Sequence, residues 1–184
     1  MGLLQSLGFV RPRGEADRLY DAVVRQARAP EFYVLCGVPD TVAGRFDMVT
    51  LHAYVVLRRL KELGGRGDQK GTHLAQAVFD RMFADFDQNL REMGVGDLAV
   101  GHRIKDLAKL FYGRLKAYDE ATAGEAMGLA AALERNAFAD GAPTQAQLAS
   151  LAAYLRGAIA QSRSWSLETL AHAKIDFPLP PKAE

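Results

Sequence analysis

The chain has 184 residues, of which 49% are hydrophobic and 24% are charged, and its formal net charge is +1. This length suits a single domain with a sizeable core, and the near-neutral charge argues against a general nucleic-acid binder, which normally has a strongly basic face. A single cysteine, Cys36, excludes an internal disulfide and a zinc site built on cysteines, and it fits a reducing compartment.

The first 14 residues are expected to form a partly ordered N-terminal segment. They lack the charged start and the small-residue cleavage site of a secretory signal peptide. No run of the sequence reaches the roughly 18 apolar residues of a membrane-spanning helix. We therefore predict a soluble, cytoplasmic protein whose contact with a membrane, if it makes one, is peripheral.

Apolar periodicity and helix-breaking residues predict four helices in the first half of the chain. Proline and glycine bound the second of them, a polar loop at 64–71 follows the third, and Gly94 ends the fourth. The four predicted helices span residues 15–29, 31–35, 45–63 and 73–93.

Alanine-rich patterns continue the helical series in the second half. The predicted helices there span residues 100–121, 124–138, 145–161 and 166–173. Three prolines make residues 174–184 an extended, mobile tail. No strand pattern interrupts the series. The predicted fold class is therefore all-α, a single-domain helical bundle of about six to seven helices over residues 15–173.

The third predicted helix is apolar on nearly every side. From Met48 to Leu60 it reads MVTLHAYVVLRRL, and only Thr50 and His52 interrupt the apolar residues before the arginine pair. A helix that is hydrophobic all round is either the buried centre of a bundle or the binding surface for something apolar outside the chain. The sequence leaves both interpretations open.

The amino-acid sequence shows none of the catalytic or metal-binding motifs considered below. The four histidines have neither the zincin spacing nor a Glu-x-x-His pair. Asp85, Asp87 and Asn89 imitate the start of a calcium loop, but Leu90 and Gly96 stand where that loop needs a glycine and a bidentate glutamate. We therefore predict no enzyme, no catalytic residue, no metal and no cofactor.

Charge is distributed unevenly between the fourth and fifth predicted helices. Residues 79–97 carry five acidic side chains and two arginines, whereas the next helix carries five basic side chains and one aspartate before residue 119. One interpretation is attraction between two antiparallel helices. The other is a polar docking edge at residues 85–97 beside a surface that bears Met and Phe, which protein interfaces favour.

Two long segments carry a family resemblance. They read GVPDTVAGRFDMVTLHAYVVLRRL at residues 37–60 and LAQAVFDRMFADFDQNLREMGVGDLAVGHRIKDLAKLFYGRLKAYDEA at residues 74–121. They resemble the ubiquinol–cytochrome c chaperone family, whose members are assembly factors for cytochrome b of the respiratory bc1 complex in mitochondria and α-proteobacteria. The resemblance is strongest over residues 37–121, where FDxNLREMGVGD is followed by VGxRxKxLAxxFYGR.

This resemblance implies a helical chaperone domain without a catalytic motif. Its expected partner is apocytochrome b, or an assembly intermediate of the bc1 complex, met before the haems and partner subunits are in place. Mitochondrial members carry an N-terminal extension for targeting and membrane contact, and we expect none in this chain. The expected form is therefore bacterial, in the cytoplasm or peripheral on the cytoplasmic face of the inner membrane. A ribosome contact and a small partner protein remain open.

The expected binding surface is apolar with a polar rim. Its predicted members come from the third and fourth helices and the turn after them: Phe46, Val49, Arg58, Arg59, Met82, Asp85, Asp87, Arg91, Glu92, Met93 and Asp97. A scaffold or oligomer-forming protein is the simpler version of this hypothesis. The alternative function is a helical carrier or sensor for a small molecule such as haem or lipid, with a pocket lined by Phe46, His52, Tyr54, Phe79, Phe83 and Phe111.

Overall fold

The computed structural model describes residues 14–65, 69–123, 126–138 and 141–181. These residues form eight helices and no strand, which confirms the predicted all-α class. Six helices have twelve or more residues and two have five. The helices are α1 Glu15–Ala27, α2 Pro30–Val34, α3 Val42–Gly64, α4 Gln69–Glu92, α5 Asp97–Ala123, α6 Ala126–Ala137, α7 Gln145–Ser162 and α8 Leu167–Ala171. Except for Gly14, the predicted N-terminal segment lies outside the described residues.

Short polar side chains begin several of these helices. The Thr41 hydroxyl accepts the Gly44 N–H at the start of α3, and Ser166 accepts the Thr169 N–H at the start of α8. Thr144 forms a reciprocal capping box with Gln147 at α7. Each such cap stabilises its helix by about 1 kcal/mol, because it satisfies a backbone donor that has no partner within the helix.

Helix α3 is the buried centre of the bundle, packed against α1, α4, α5, α6 and α7. Met48, Leu51, Ala53, Val55 and Val56 are completely buried. The all-round apolar pattern therefore reflects neighbours within the chain. Residues 48–56 are buried, so of the two interpretations left open by the sequence, the buried centre of a bundle applies to this stretch.

A buried ion pair joins α5 to α3. Arg114 Nη2 lies 2.6 Å from Asp47 Oδ1, and the two side chains are 10% and 3% exposed. Arg114 Nε also donates to the Asn136 carbonyl at 3.2 Å, and its guanidinium lies 5.2 Å from the centre of the Phe46 ring. This single side chain therefore ties together α3, α5 and α6.

The Pro-rich tail lies against the body as far as residue 181. Residues 174–181 are extended, as predicted. Phe177 packs edge-on against His52 and Trp165 at ring distances of 5.2 and 5.3 Å, and Gln26 Nε2 donates to the Pro178 carbonyl. The expectation of mobility overlooked Phe177, whose apolar ring anchors this part of the tail.

Among the residues that the structure describes, none of the helices combines the length and apolar content that a bilayer-spanning helix needs.

Candidate protein-binding groove

An open apolar groove lies where the end of α3, the start of α4 and the middle of α5 meet. Its volume is about 430 Å³. The apolar lining comes from Leu57, Ala75, Phe79, Phe111 and Leu115, and the more polar rim from Lys61, Thr72, Gln76 and Tyr112. A concave apolar surface with few polar groups is the usual form of a binding site in a folded protein.

Two glycines allow α3 and α4 to approach closely at one end of the groove. A Cβ atom on Gly71 would lie 3.1 Å from the Leu60 carbonyl oxygen and from the Gly64 nitrogen, and one on Gly64 would lie 2.8 Å from the Thr72 hydroxyl. Larger residues would push the helices apart. The glycine-rich stretch predicted as a loop therefore also shapes the groove, since α4 begins inside it.

An aromatic cluster forms the floor of the groove and continues into the core. The Phe79 ring centre lies 4.5 Å from that of Phe83, 5.7 Å from that of Phe111 and 5.6 Å from that of Tyr112. Phe83 contacts Phe86, which contacts Phe46. Because each ring packs against the next, the floor of the groove is a continuous aromatic surface.

Large apolar side chains are exposed next to this groove and along the α4–α5 hairpin. Tyr112 is 57% exposed, Leu110 50%, Met93 53% and Leu98 95%. Only Met93 was predicted as a site residue. Leu110 and Tyr112 lie outside the apolar stripe that buries α5, and this mismatch is the sequence signal that could have identified them.

Several predicted site residues belong to the core. Val49 is 8% exposed and Met82 is completely buried, so both are core residues and not surface residues as predicted. Phe46 is half-buried between Phe86 and the Arg114 guanidinium. These positions support the groove from inside.

The two predicted arginines of α3 bind to neighbours within the chain. Arg58 donates to Tyr54 and Thr122 and forms an ion pair with Glu62. Arg59 Nε donates to the Trp165 carbonyl at 2.9 Å, and its side chain is 14% exposed. Both arginines stabilise helix contacts, and Arg59 has little surface left for a partner.

Five of the six remaining predicted residues lie near the turn of the α4–α5 hairpin. Arg91 bridges Asp87, at 2.6 Å, and Asp97 across the turn between the two helices. Gly94 turns the chain with a φ of 81°, and exposed Met93 and Glu92 lie beside it. The structure therefore groups Asp87, Arg91, Glu92, Met93 and Asp97 on one exposed edge, which we call the hairpin edge.

Asp85 points away from that edge toward α1. Its carboxylate accepts a hydrogen bond from the Tyr20 hydroxyl at 2.9 Å and forms an ion pair with Arg81. Burial, and next the negative charge of Asp85, raise the pKa of Tyr20 far above its ordinary value. Tyr20 is therefore a neutral donor that fixes α1 on α4.

The charges of α4 and α5 are mostly not paired with each other, although the sequence suggested that the two helices attract. Within the described residues, the cross-helix pair is that of Arg91 with Asp97, at the turn. Lys109 and Lys116 pair with Asp106 and Glu120 of their own helix. The lysines of α5 thus extend toward solvent and do not neutralise α4.

The residues of the alternative haem or lipid pocket do not line a common cavity. His52 is completely buried, with Nδ1 2.7 Å from the Met48 carbonyl oxygen and Nε2 2.8 Å from the Tyr154 hydroxyl. Of the predicted pocket residues, Phe79 and Phe111 line the open groove. Both nitrogens of His52 already have partners, so the geometry does not favour it as a ligand. The described residues hold no cluster of three or more side chains suited to a metal ion.

Comparison with known proteins places the chain in a family. Residues 34–177 match the family described as ubiquinol-cytochrome C chaperone. The chain belongs to this family. The match includes α3, α4 and α5, so it covers both the groove and the hairpin edge, and it confirms the resemblance found in residues 37–121.

Relatives and a solved structure agree with this assignment. The ubiquinol-cytochrome c reductase complex assembly factors 1 of mouse and human are each 28% identical to the chain, over 84% and 91% of its length. The chain spans only 54% and 58% of the length of those two proteins. The crystal structure of the Cbp3 homolog from Brucella abortus is 38% identical with a TM-score of 0.77, covering 89% of this chain and 88% of that one.

Proposed function

We propose that this protein is an assembly chaperone for the ubiquinol–cytochrome c reductase complex and that its groove holds an apolar segment of newly made cytochrome b. The observation that carries the proposal is the family match over residues 34–177. The names of the mouse and human relatives, which are assembly factors of that complex, support it. The open apolar groove supports a binding role.

The chemistry of the groove suits a temporary apolar client. Burying apolar surface stabilises a complex by about 25 cal/mol per Å², so a few hundred Å² would contribute several kcal/mol before the costs of association. This is enough for capture and low enough for release. We infer that the protein binds without making or breaking bonds, and that it acts on the cytoplasmic face of the inner membrane, where such a client is made.

The hairpin edge would orient the client beside the groove. Met93 provides an adaptable apolar contact, and methionine suits varied partners because its side chain is flexible. Asp87, Arg91, Glu92 and Asp97 surround it with charge, as in the polar rim of a protein interface. In the proposed site, the apolar groove contributes most of the affinity and the polar edge sets the orientation of the client.

Removing the protein from cells tests the proposal directly. In a strain that lacks its gene, we expect the b-type haem signal in reduced-minus-oxidised membrane spectra to fall with the activity of the bc1 complex, while other respiratory oxidases remain. Restoring the gene should restore both. An unchanged bc1 complex in the deletion strain would refute the proposed function.

A charge in the mouth of the groove should prevent capture. We expect Tyr112→Asp to lower the copurification of cytochrome b with the tagged protein at least about ten-fold, because tyrosines at the centre of interfaces often contribute most of the binding energy. Val34→Asp is the matched control, since Val34 is a 74% exposed apolar residue on α2. If both variants captured equal amounts of cytochrome b, the groove would not be part of the binding site.

Charge reversal at the hairpin edge tests the orienting role. Glu92 is exposed and accepts a hydrogen bond only from Gln88 of its own helix, among the contacts of the described residues. We expect Glu92→Lys to slow client capture several-fold, because rim charges act mainly on association rates. The free energy of unfolding should change by less than about 0.5 kcal/mol. If Glu92→Lys captured the client at the wild-type rate, the hairpin edge would have no role in orienting the client.

A further inference from the structure

The outward face of α5 carries lysines and exposed apolar side chains in one line. We call this line the α5 ridge, formed by Leu98, Lys105, Lys109, Tyr112 and Lys116. A helix turns by about 100° per residue, so these five positions lie within about 40° of a common line that is about 27 Å long. Leu98 is 95% exposed, and the Lys109 and Lys116 side chains are each 79% exposed.

The positive charge of the ridge is weakly neutralised. Lys109 lies 3.2 Å from Asp106 and Lys116 3.8 Å from Glu120, and both acidic partners are themselves two-thirds exposed. Exposed pairs of this kind form and break readily in water. Lys105 forms no ion pair with any residue that the structure describes. The acidic side chains of α4 have partners elsewhere, so the lysines remain available for a negatively charged partner.

Two glycines beside the ridge serve no purpose in the packing of the chain. Gly101 and Gly113 lie inside α5, where glycine is less favourable than alanine. A Cβ atom at either position would meet no atom of the described residues within 4 Å, and neither glycine has a positive φ. Their small size lowers this face of the helix, which lets a broad surface approach the backbone between the lysines.

We propose that the α5 ridge binds the surface of a bilayer that contains anionic phospholipids. Lysine stems can lie along an interface while their ammonium groups meet phosphate, and leucine and tyrosine can enter the boundary layer. A line of exposed side chains along one helix face fits a broad surface, whereas the neighbouring groove fits a segment of chain. The inference rests on the membrane placement in the proposed function, and it does not depend on the identity of the client.

Vesicle sedimentation tests this assignment with the purified full-length protein. The protein should sediment with phosphatidylcholine vesicles that contain about a third phosphatidylglycerol, should remain in solution with pure phosphatidylcholine, and should be released as salt screens the charges. Lys105→Gln combined with Lys109→Gln should weaken binding about 25-fold, at about five-fold for each lysine near an anionic surface. Leu98→Ser should weaken it several-fold.

The matched control removes two charges elsewhere, at the end of α7 and in the tail, with Arg163→Gln and Lys174→Gln. This control should bind vesicles as the wild type does. Equal binding by the ridge variant and the control, or no binding to anionic vesicles, would overturn the proposal. Tyr112 is left unchanged because it also lines the groove.

Client capture from detergent extracts separates this proposal from the proposed function. The ridge double variant should copurify with cytochrome b as the wild type does. If it binds vesicles normally but loses the client, the ridge contacts an acidic protein and the lipid assignment is wrong. If vesicle binding behaves as expected but wild-type protein captures no client, the lipid assignment stands and the proposed function fails.

Discussion

Replacing Arg114 by alanine is expected to lower the free energy of unfolding by about 3–5 kcal/mol, because the change leaves the buried Asp47 carboxylate without its partner. The Asp47 side chain is 3% exposed and lies 2.6 Å from the arginine. The Asn136 carbonyl would also lose its donor from Arg114 Nε. Urea unfolding followed by circular dichroism measures the effect, and the contact between α5 and α6 should loosen first.

A double variant separates the interaction from the burial of charge. The double replacement Asp47→Leu with Arg114→Leu removes both buried charges together. Such replacements often change the free energy of unfolding very little. We therefore expect the double variant to be more stable than Arg114→Ala. If the single variant lost less than about 1 kcal/mol, water would be reaching Asp47, and the pair would not be the tie between α3 and α5 described above.

This ion pair illustrates what the sequence could not predict. Asp47 and Arg114 lie on two different predicted helices, and nothing in the local pattern distinguishes them from surface charges. Periodicity and helix-breaking residues did predict the helices themselves, since a residue such as Gly94 acts within a few residues of its position. Which helix faces meet depends on the whole bundle, and local patterns carry little of that information.

The exposure of the predicted site residues was predicted less well for the same reason. The apolar content of α3 fitted a buried centre and an exposed surface equally, and only the five helices packed against it decide between them. Met82 and Val49 were therefore assigned to the wrong environment. The hairpin edge was predicted better, because charged residues on both sides of a glycine turn stay at the surface whatever the packing.

Acid should destabilise the protein through His52 in particular. Complete burial lowers the pKa of His52 to about 4, well below the ordinary value of 6.5. The unfolded chain binds a proton at this position below about pH 6.5, whereas the folded protein binds it only near pH 4, so stability is full above pH 6.5 and falls as the pH decreases toward 4. The shift corresponds to a loss of about 3 kcal/mol over that interval.

The hydrogen bonds around His52 explain why the folded protein resists protonation. A carbonyl oxygen only accepts, so Nδ1 donates its proton to the Met48 carbonyl, and Nε2 must then accept from the Tyr154 hydroxyl. Tyr154 in turn accepts from Gln26 Nε2 at 3.0 Å. A second proton on the ring would turn Nε2 into a donor facing the Tyr154 hydroxyl, and it would place a charge among the rings of Phe32 and Phe177.

The variant His52→Gln isolates this effect, since glutamine can accept from Tyr154 but does not titrate. Carboxylates and the three other histidines are present in both proteins, so their contributions cancel when the pH dependences of the free energy of unfolding are subtracted. The difference should rise by about 3 kcal/mol between pH 4 and 6.5 and be flat above it. A difference that is flat throughout would mean that the folded protein protonates His52 freely. The ring would then have to reach solvent, most directly by release of the tail that Phe177 anchors.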